Sequence, residues 1–219
     1  MVVFETHSMY NTALETLSLT YAETIGVGAF AVESMGGNAN VEATYTAISM
    51  PNVQTIGAYA FLNGGETKVD LPASVKEIGY GTFASSAKLV GFAVAAANET
   101  FVALDAVDGY GVLYRYIDKA DKTYEVVCYP ANRTQAATNG KKTYTIAVGT
   151  VYVQSAAFLE INKTLDEIVF PYSVKSIGDD AFFNSGIKEY TFESMQAPKL
   201  EVTYREQVRM WIEAAADEG

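Results

Sequence analysis

The sequence predicts a solenoid, a coil of stacked repeats with a parallel sheet along one side. Three observations lead there. A block of the form apolar-x-apolar-Pro, then Val-x-x-Ile-Gly-x-x-Ala-Phe, recurs five times with local variation. The step from the Ile position to the Phe position is five residues in every copy. Phe61 to Phe83 spans 22 residues and Phe158 to Phe182 spans 24, and self-similarity at such a period marks repeats that bury their apolar faces only by stacking.

The copies follow one another along the chain. Leu17-Ser18-Leu19 leads to Ile25-Gly26-Val27-Gly28-Ala29-Phe30, and Ile48-Ser49-Met50-Pro51 leads to Ile56-Gly57-Ala58-Tyr59-Ala60-Phe61. Val69-Asp70-Leu71-Pro72 leads to Ile78-Gly79-Tyr80-Gly81-Thr82-Phe83. Tyr144-Thr145-Ile146 leads to Val153-Gln154-Ser155-Ala156-Ala157-Phe158, and Ile168-Val169-Phe170-Pro171 leads to Ile177-Gly178-Asp179-Asp180-Ala181-Phe182. The period lies in the leucine-rich range. In each apolar-x-apolar stretch, alternation sends two side chains inward and the middle one outward. Pro then ends the strand, because it has no N–H for a ladder. The following Val-x-x-Ile and Ala-Phe fill the coil, and the Gly after Ile is expected to supply a turn with φ > 0. Val90-Gly91-Phe92 and Tyr190-Thr191-Phe192 read as further strands. Phe4 to Met9 repeats the five-residue step, as though the sequence starts inside a repeat of a longer parent.

Residues 93–143 break the period. Strands near 112–117 and 123–129, joined by the polar turn Asp118-Lys119-Ala120-Asp121-Lys122, read as an inserted β-hairpin. A shorter insertion, 33–44, separates the first two copies. From 201 to 219 the pattern changes again: Val202, Val208, Trp211, Ile212 and Ala215 among charges predict a short amphipathic helix capping the last repeat. The expected architecture is one leucine-rich-repeat solenoid over residues 1–219, a right-handed α/β-type superhelix dominated by short parallel strands. Its returns are irregular or short helical segments. Repeats occupy about 1–92 and 143–200, the inserted hairpin segment about 93–143, and the C-terminal helical cap about 201–219.

Rare residues narrow the chemistry. His7 and Cys128 are single, so neither an intramolecular disulfide nor a Cys/His zinc cluster can form. His7 lies near the chain end, a poor place for a general base, and Cys128 sits in a strand-like run as a small hydrophobe. Asp118 and Asp121 lack the further oxygens of a calcium loop and read as turn residues; Asp179-Asp180 reads as a solvated pair. No nucleophile, base and orienter set is present, so no enzyme, cofactor or metal site is expected. The net charge is −11, which argues against a phosphate-binding nucleic-acid surface and against docking on anionic lipid. No apolar stretch reaches 18 residues, so no membrane insertion by a helix is expected.

The motif Leu71-Pro72-x-Ser74-Val75-x-x-Ile78-Gly79-x-x-x-Phe83 resembles the BspA-like class of bacterial leucine-rich repeats, as does Phe170-Pro171 through Phe182. The middle segment is similar too: Asp108-Gly109, then Val112-Leu113-Tyr114, and later Cys128-Tyr129-Pro130. The likeness covers about residues 4–195. It departs where family copies often carry Cys after Ala-Phe; Asn63, Ser85 and Asn184 stand there instead. The first copy lacks the Pro, and Ala147 replaces it in another. The resemblance implies an extracellular or cell-surface bacterial protein, with relatives linked to adhesion, and brings no catalytic residues.

On this reading the chain is a non-catalytic protein-binding or adhesion module, its partner a host, neighbouring-cell or matrix protein. A structural spacer and a carbohydrate-binding module are the alternatives. The outward strand positions form the candidate surface: Ser18, Ser49, Lys68, Asp70, Thr143, Thr145, Glu167, Glu189 and Thr191. They are small and polar, without the aromatic faces that stack on sugars, which favours protein over carbohydrate. Among 15 Tyr residues, Tyr114 and Tyr116 of the hairpin are the expected interface anchors.

Overall fold

The computed structural model describes residues 2–12, 14–32, 43, 45–161, 164–194 and 196–200. The expected cap at 201–219 and most of the short insertion at 33–44 lie outside them. The described residues form short strands joined by turns, with no helix among them. Among the described residues the returns are chains of turns, and none is helical.

Each coil contributes two short strands rather than one. Along the chain, β1 (Val2–Phe4), β2 (Leu17–Ser18), β3 (Ala22–Ile25), β4 (Ile48–Ser49), β5 (Thr55–Ile56), β6 (Lys68–Leu71), β7 (Glu77–Ile78) and β8 (Gly91–Val94) alternate between two faces. The even-numbered strands hold the apolar-x-apolar motif and form a front ribbon. The odd-numbered ones end at the Ile position and form a back ribbon in the order β1-β3-β5-β7, paired in parallel. Phe4 is in register with Ile25, Ile25 with Ile56, and Ile56 with Ile78, so the opening residues are a repeat in structure as well as in spacing. The alternation is clean in β6, where Val69 and Leu71 are buried while Lys68 and Asp70 are exposed.

The insertion is a three-stranded meander. β9 (Phe101–Val107), β10 (Tyr110–Asp118) and β11 (Thr123–Cys128) pair antiparallel in sequence. β10 and β11 are the predicted hairpin, and β9 is a strand that the sequence pattern did not reveal. Asn98, buried, redirects the chain into it: its amide donates to the carbonyls of Pro72 and Val75, and its side-chain oxygen accepts from the N–H groups of Thr100 and Phe101.

Repeats resume through the small hairpin β12 (Ala137–Thr138) and β13 (Lys141–Thr145). β14 (Thr150–Val153), β15 (Glu167–Phe170), β16 (Ser176–Ile177), β17 (Glu189–Phe192) and β18 (Lys199–Leu200) follow. β13, β15 and β17 continue the front side, and β14, β16 and β18 the back. The meander joins opposite ribbons of the two halves. One sheet runs β18-β16-β14-β11-β10-β8-β6, from the back of the second half to the front of the first. β11 and residues 111–114 of β10 are consequently buried on both faces. Leu113, Val127 and Cys128 enter the core of the first half; Val112, Tyr114, Tyr124 and Val126 enter that of the second.

The Phe of each repeat stacks on the next. Phe30 and Phe61 lie 5.5 Å apart, Phe61 and Phe83 5.4 Å, both nearly parallel. In the second half Tyr129 takes the Phe place, stacked on Phe158 at 5.1 Å, which stacks on Phe182 at 4.9 Å. Offset pairs of this kind add about 1 kcal/mol each beyond the area they bury.

The turns correct one expectation. The positive φ does not fall on the Gly after Ile but three residues after Ile, at His7, Gly28, Tyr59, Gly81, Ala156 and Asp180. It recurs seven residues after Ile, at Asn11, Asn63, Ser85, Glu160 and Asn184. Asn is among the few side chains that tolerate this backbone, which accounts for three of those five. The Gly after Ile serves close approach instead. A Cβ on Gly57 would lie 2.5 Å from Val27 N, and one on Gly79 2.3 Å from Ala58 N.

Candidate functional site

The expected surface row is present on the front of the coils but is divided by the meander. In the first half Ser18 pairs in register with Ser49, and Lys68 and Asp70 with Gly91 and Ala93. In the second half Thr143, Glu167 and Glu189 line up, as do Thr145, Val169 and Thr191. The neighbour of β8 is β10, not β13. The first-half and second-half positions therefore belong to two separate surfaces.

The second-half surface is bonded within itself. Lys141 pairs with Glu167 at 3.1 Å and also with Glu189. Thr143 Oγ1 donates to Glu167 Oε2 at 3.0 Å and Thr191 Oγ1 to Glu167 Oε1 at 2.7 Å. These donors hold the Glu167 carboxyl below its usual range, the Thr191 contact foremost. Thr145 is exposed beside them.

The first-half surface is open. The front ribbon is interrupted between β4 and β6, which belong to different sheets. A trough of about 510 Å³ lies over the break, lined by Ser49, Pro51, Asp70, Pro72, Ala93 and Ala95 among others. Tyr110, from the start of β10, bears on Asp70 and Lys68. Its hydroxyl donates to Asp70 Oδ1 at 3.1 Å, and Lys68 Nζ sits 4.3 Å from its ring centroid. The approach of β10 explains Gly91, where a Cβ would lie 2.7 Å from that of Tyr110.

The strand ends flanking the β9–β10 turn are tied to both halves. On one side stands the Tyr110–Asp70 bond. On the other, Tyr144 Oη donates to Asp105 Oδ2 at 3.0 Å, and Tyr144 shares a 2.7 Å hydrogen bond with Tyr114. The buried Arg133 holds the base of the turn through the carbonyls of Asp105 and Tyr110. Tyr114 is completely buried, and burial pushes its hydroxyl well above the ordinary range. It belongs to the core and offers no ring to a partner, because the strand that holds it is covered on both faces. Tyr116 is half-buried against Tyr124, 5.6 Å away, with Lys119 Nζ 5.5 Å from its ring centroid. The aromatic that does reach the candidate surface is Tyr110. Its signal in the sequence was its place after Asp108-Gly109, the turn pair that opens β10.

Elsewhere, Asp118 makes turn bonds to the N–H groups of Ala120 and Asp121. Asp179 and Asp180 are half-buried rather than solvated. Cys128 is a buried free thiol. Glu66, which no sequence motif marks, is wholly buried between Tyr45 and Ser86, and burial raises its carboxyl to about 7. Among the described residues no three His, Cys, Asp or Glu side chains converge as a metal site would require.

This arrangement of stacked two-strand coils is that of a leucine-rich-repeat solenoid, and the comparisons agree. The BspA type leucine rich repeat region matches in six copies over residues 33–101 and 138–201. The chain belongs to that family. Its fold is similar to that of the pneumococcal vaccine antigen PcpA, with a TM-score of 0.68, 24% identity, and coverage of 89% of this chain and 43% of that one. It is also similar to a leucine-rich repeat protein from Eubacterium ventriosum ATCC 27560, with a TM-score of 0.53, 21% identity, and coverage of 83% and 55%. The chain thus spans about half the length of these structures. A comparison with curated proteins returns no significant match.

Proposed function

We propose that this chain is a non-catalytic protein-binding module of a bacterial surface or secreted protein, engaging its partner with the front of its first half. The observation that supports this is the trough over the β4–β6 break. It brings Ser49 and Asp70 of the expected row together with apolar rims, and Tyr110 at the start of β10 bonds its Asp70. Binding surfaces combine such an apolar floor with a few placed polar groups. A protein suits the trough better than a sugar, since Tyr110 already has Lys68 on its ring. The likeness of fold to a pneumococcal vaccine antigen supports placement outside the cell.

A spacer function is the second reading, and the second-half surface favours it. There Glu167, Glu189, Thr143 and Thr191 are engaged with Lys141 or one another, an arrangement that keeps a sheet face soluble without a partner.

The test is a screen of the purified chain against immobilised extracellular-matrix proteins and a glycan array at two salt concentrations. Saturable binding to a protein, weakened by Asp70→Arg and indifferent to Glu189→Arg, is the expected result. Binding to a glycan, or protein binding indifferent to Asp70→Arg, would overturn the proposed face. Silence on both arrays would favour the spacer.

A further inference from the structure

The trough has one ionisable side chain in its lining, Asp70. The remainder is Ser49, two prolines, and aliphatic or alanine side chains. An aspartate there is half-used. Its Oδ1 accepts one hydrogen bond, from Tyr110, whereas an ionised carboxylate has about four acceptor positions. Lys68, the cation two residues earlier on the same strand, directs its ammonium to the Tyr110 ring. Tyr110 is thus a brace for two charges: it orients the carboxylate through its hydroxyl and holds the lysine on its ring. The consequence is a fixed acceptor beside apolar rims formed by Pro51 on one side and Pro72 and Ala95 on the other.

The size of the trough limits what fits. It crosses the ends of three strands, β4, β6 and β8. β6 pairs with β8, and the β4 coil still meets the β6 coil through the bond from Thr67 N to Thr46 O; at roughly 4.8 Å per bonded neighbour the trough is about 10 Å across, the length of about three residues of extended chain. Its floor is apolar and its one charge is negative, on a molecule of net charge −11 whose field draws positive partners.

We propose that this trough docks an extended segment of a protein partner with an apolar-basic-apolar sequence, its arginine or lysine on Asp70 and its flanking side chains on Pro51, Pro72 and Ala95. This rests on the protein-binding reading above and gives that reading a partner chemistry. Arginine fits better than lysine, because a planar fork can bond a carboxylate whose second oxygen has no competing lysine.

Phage-displayed random 12-residue peptides selected on the full chain test it. The expected result is enrichment of sequences with one Arg or Lys between apolar residues. Synthetic copies of them should bind the chain in fluorescence anisotropy and lose about tenfold or more with Asp70→Asn, as for a charge-assisted contact. Replacing the peptide's Arg by citrulline should cost a similar factor, and Glu167→Gln should leave binding unchanged. Enriched peptides without a basic residue, or binding that Asp70→Asn does not alter, overturn the inference. Peptides whose binding falls with Glu167→Gln instead overturn it while leaving the binding-module reading standing. No enrichment on phage combined with silence on the protein arrays defeats both, and no enrichment with a matrix-protein hit defeats this one alone.

Discussion

Glu66 shows how a single position can set the pH response of a repeat protein. Its carboxylate is wholly buried against the Tyr45 hydroxyl and Ser86, whose contacts offset only part of the lost hydration. Water stabilises the charged form in the unfolded chain and not here, so the carboxyl rises to about 7 from its ordinary 4.5. Below about 4.5 both states are protonated and Glu66 takes nothing from stability. Between 4.5 and 7 the unfolded chain ionises first, so stability falls as pH rises; above 7 the loss is complete and constant. Each tenfold difference in proton affinity between the folded and unfolded chain is worth about 1.4 kcal/mol, so the loss is roughly 3 kcal/mol. Glu66→Gln should remove that fall. Urea midpoints at pH 4.5, 6 and 7.5 for both proteins check it; a difference that does not change with pH refutes it. The sequence could not reveal this residue. Glu66 follows Gly64-Gly65 outside any repeat motif, and it is buried by Tyr45 and Ser86, with Cys128 of the insertion close enough to feel its charge, all of them distant in sequence.

At the scale of elements, β10 and β11 decide the architecture. Repeated strands were legible because each one obeys a period of two and three of the five end at Pro. The hairpin was legible as a hairpin from its turn residues. Its place was not, since a run such as Val112-Leu113-Tyr114 is equally consistent with a surface flap and a central strand. Strands buried on both faces lose the polar alternation that marks an exposed side, and this loss was the available hint. Tyr114 therefore belongs to packing. Tyr114→Ala should destabilise by about 4 kcal/mol, the range for removing a large buried ring. Tyr116→Ala, on a half-buried residue of the same strand, should cost less than half as much. Thermal melts of the two variants check the ordering, and equal losses would contradict the assignment of Tyr114 to the second core. The back ribbon was missed for a different reason. Its strands are mostly two residues long, too short to show alternation, and their regularity is visible only as the register of Ile25, Ile56 and Ile78.

At the scale of the molecule, the candidate surface was half legible. Outward positions followed from alternation alone. The division of the row, the trough and the place of Tyr110 depend on where the meander joins the coils, which no local pattern encodes. That junction also bears on cooperativity. In a plain stack each coil touches only its neighbours, so stability is a sum over coils and ends can melt alone. Here two strands are shared by both cores, so unfolding one half exposes a face of the strands that the other half requires. Chemical denaturation followed by circular dichroism and by tyrosine fluorescence should therefore give coincident single transitions; two separated steps would show that the halves melt independently.

The column of left-handed turn residues adds a last consequence, mechanical in kind. It passes the insertion without a gap, because Ser85 Oγ donates to Glu160 Oε2 at 2.8 Å across 75 residues of sequence, and Asn184 then bonds Glu160 at 3.2 Å. A tether pulled along the coil axis loads every rung of such a column in series, so its strength is that of the weakest rung. The Ser85–Glu160 rung rests on side chains alone, where its neighbours also have the backbone bonds from Asn63 N to Ala84 O and from Glu160 N to Phe183 O. Under traction that edge of the column should open first at the insertion while the shared strands hold the halves together, a first yielding step that force spectroscopy would read and that Glu160→Ala should remove.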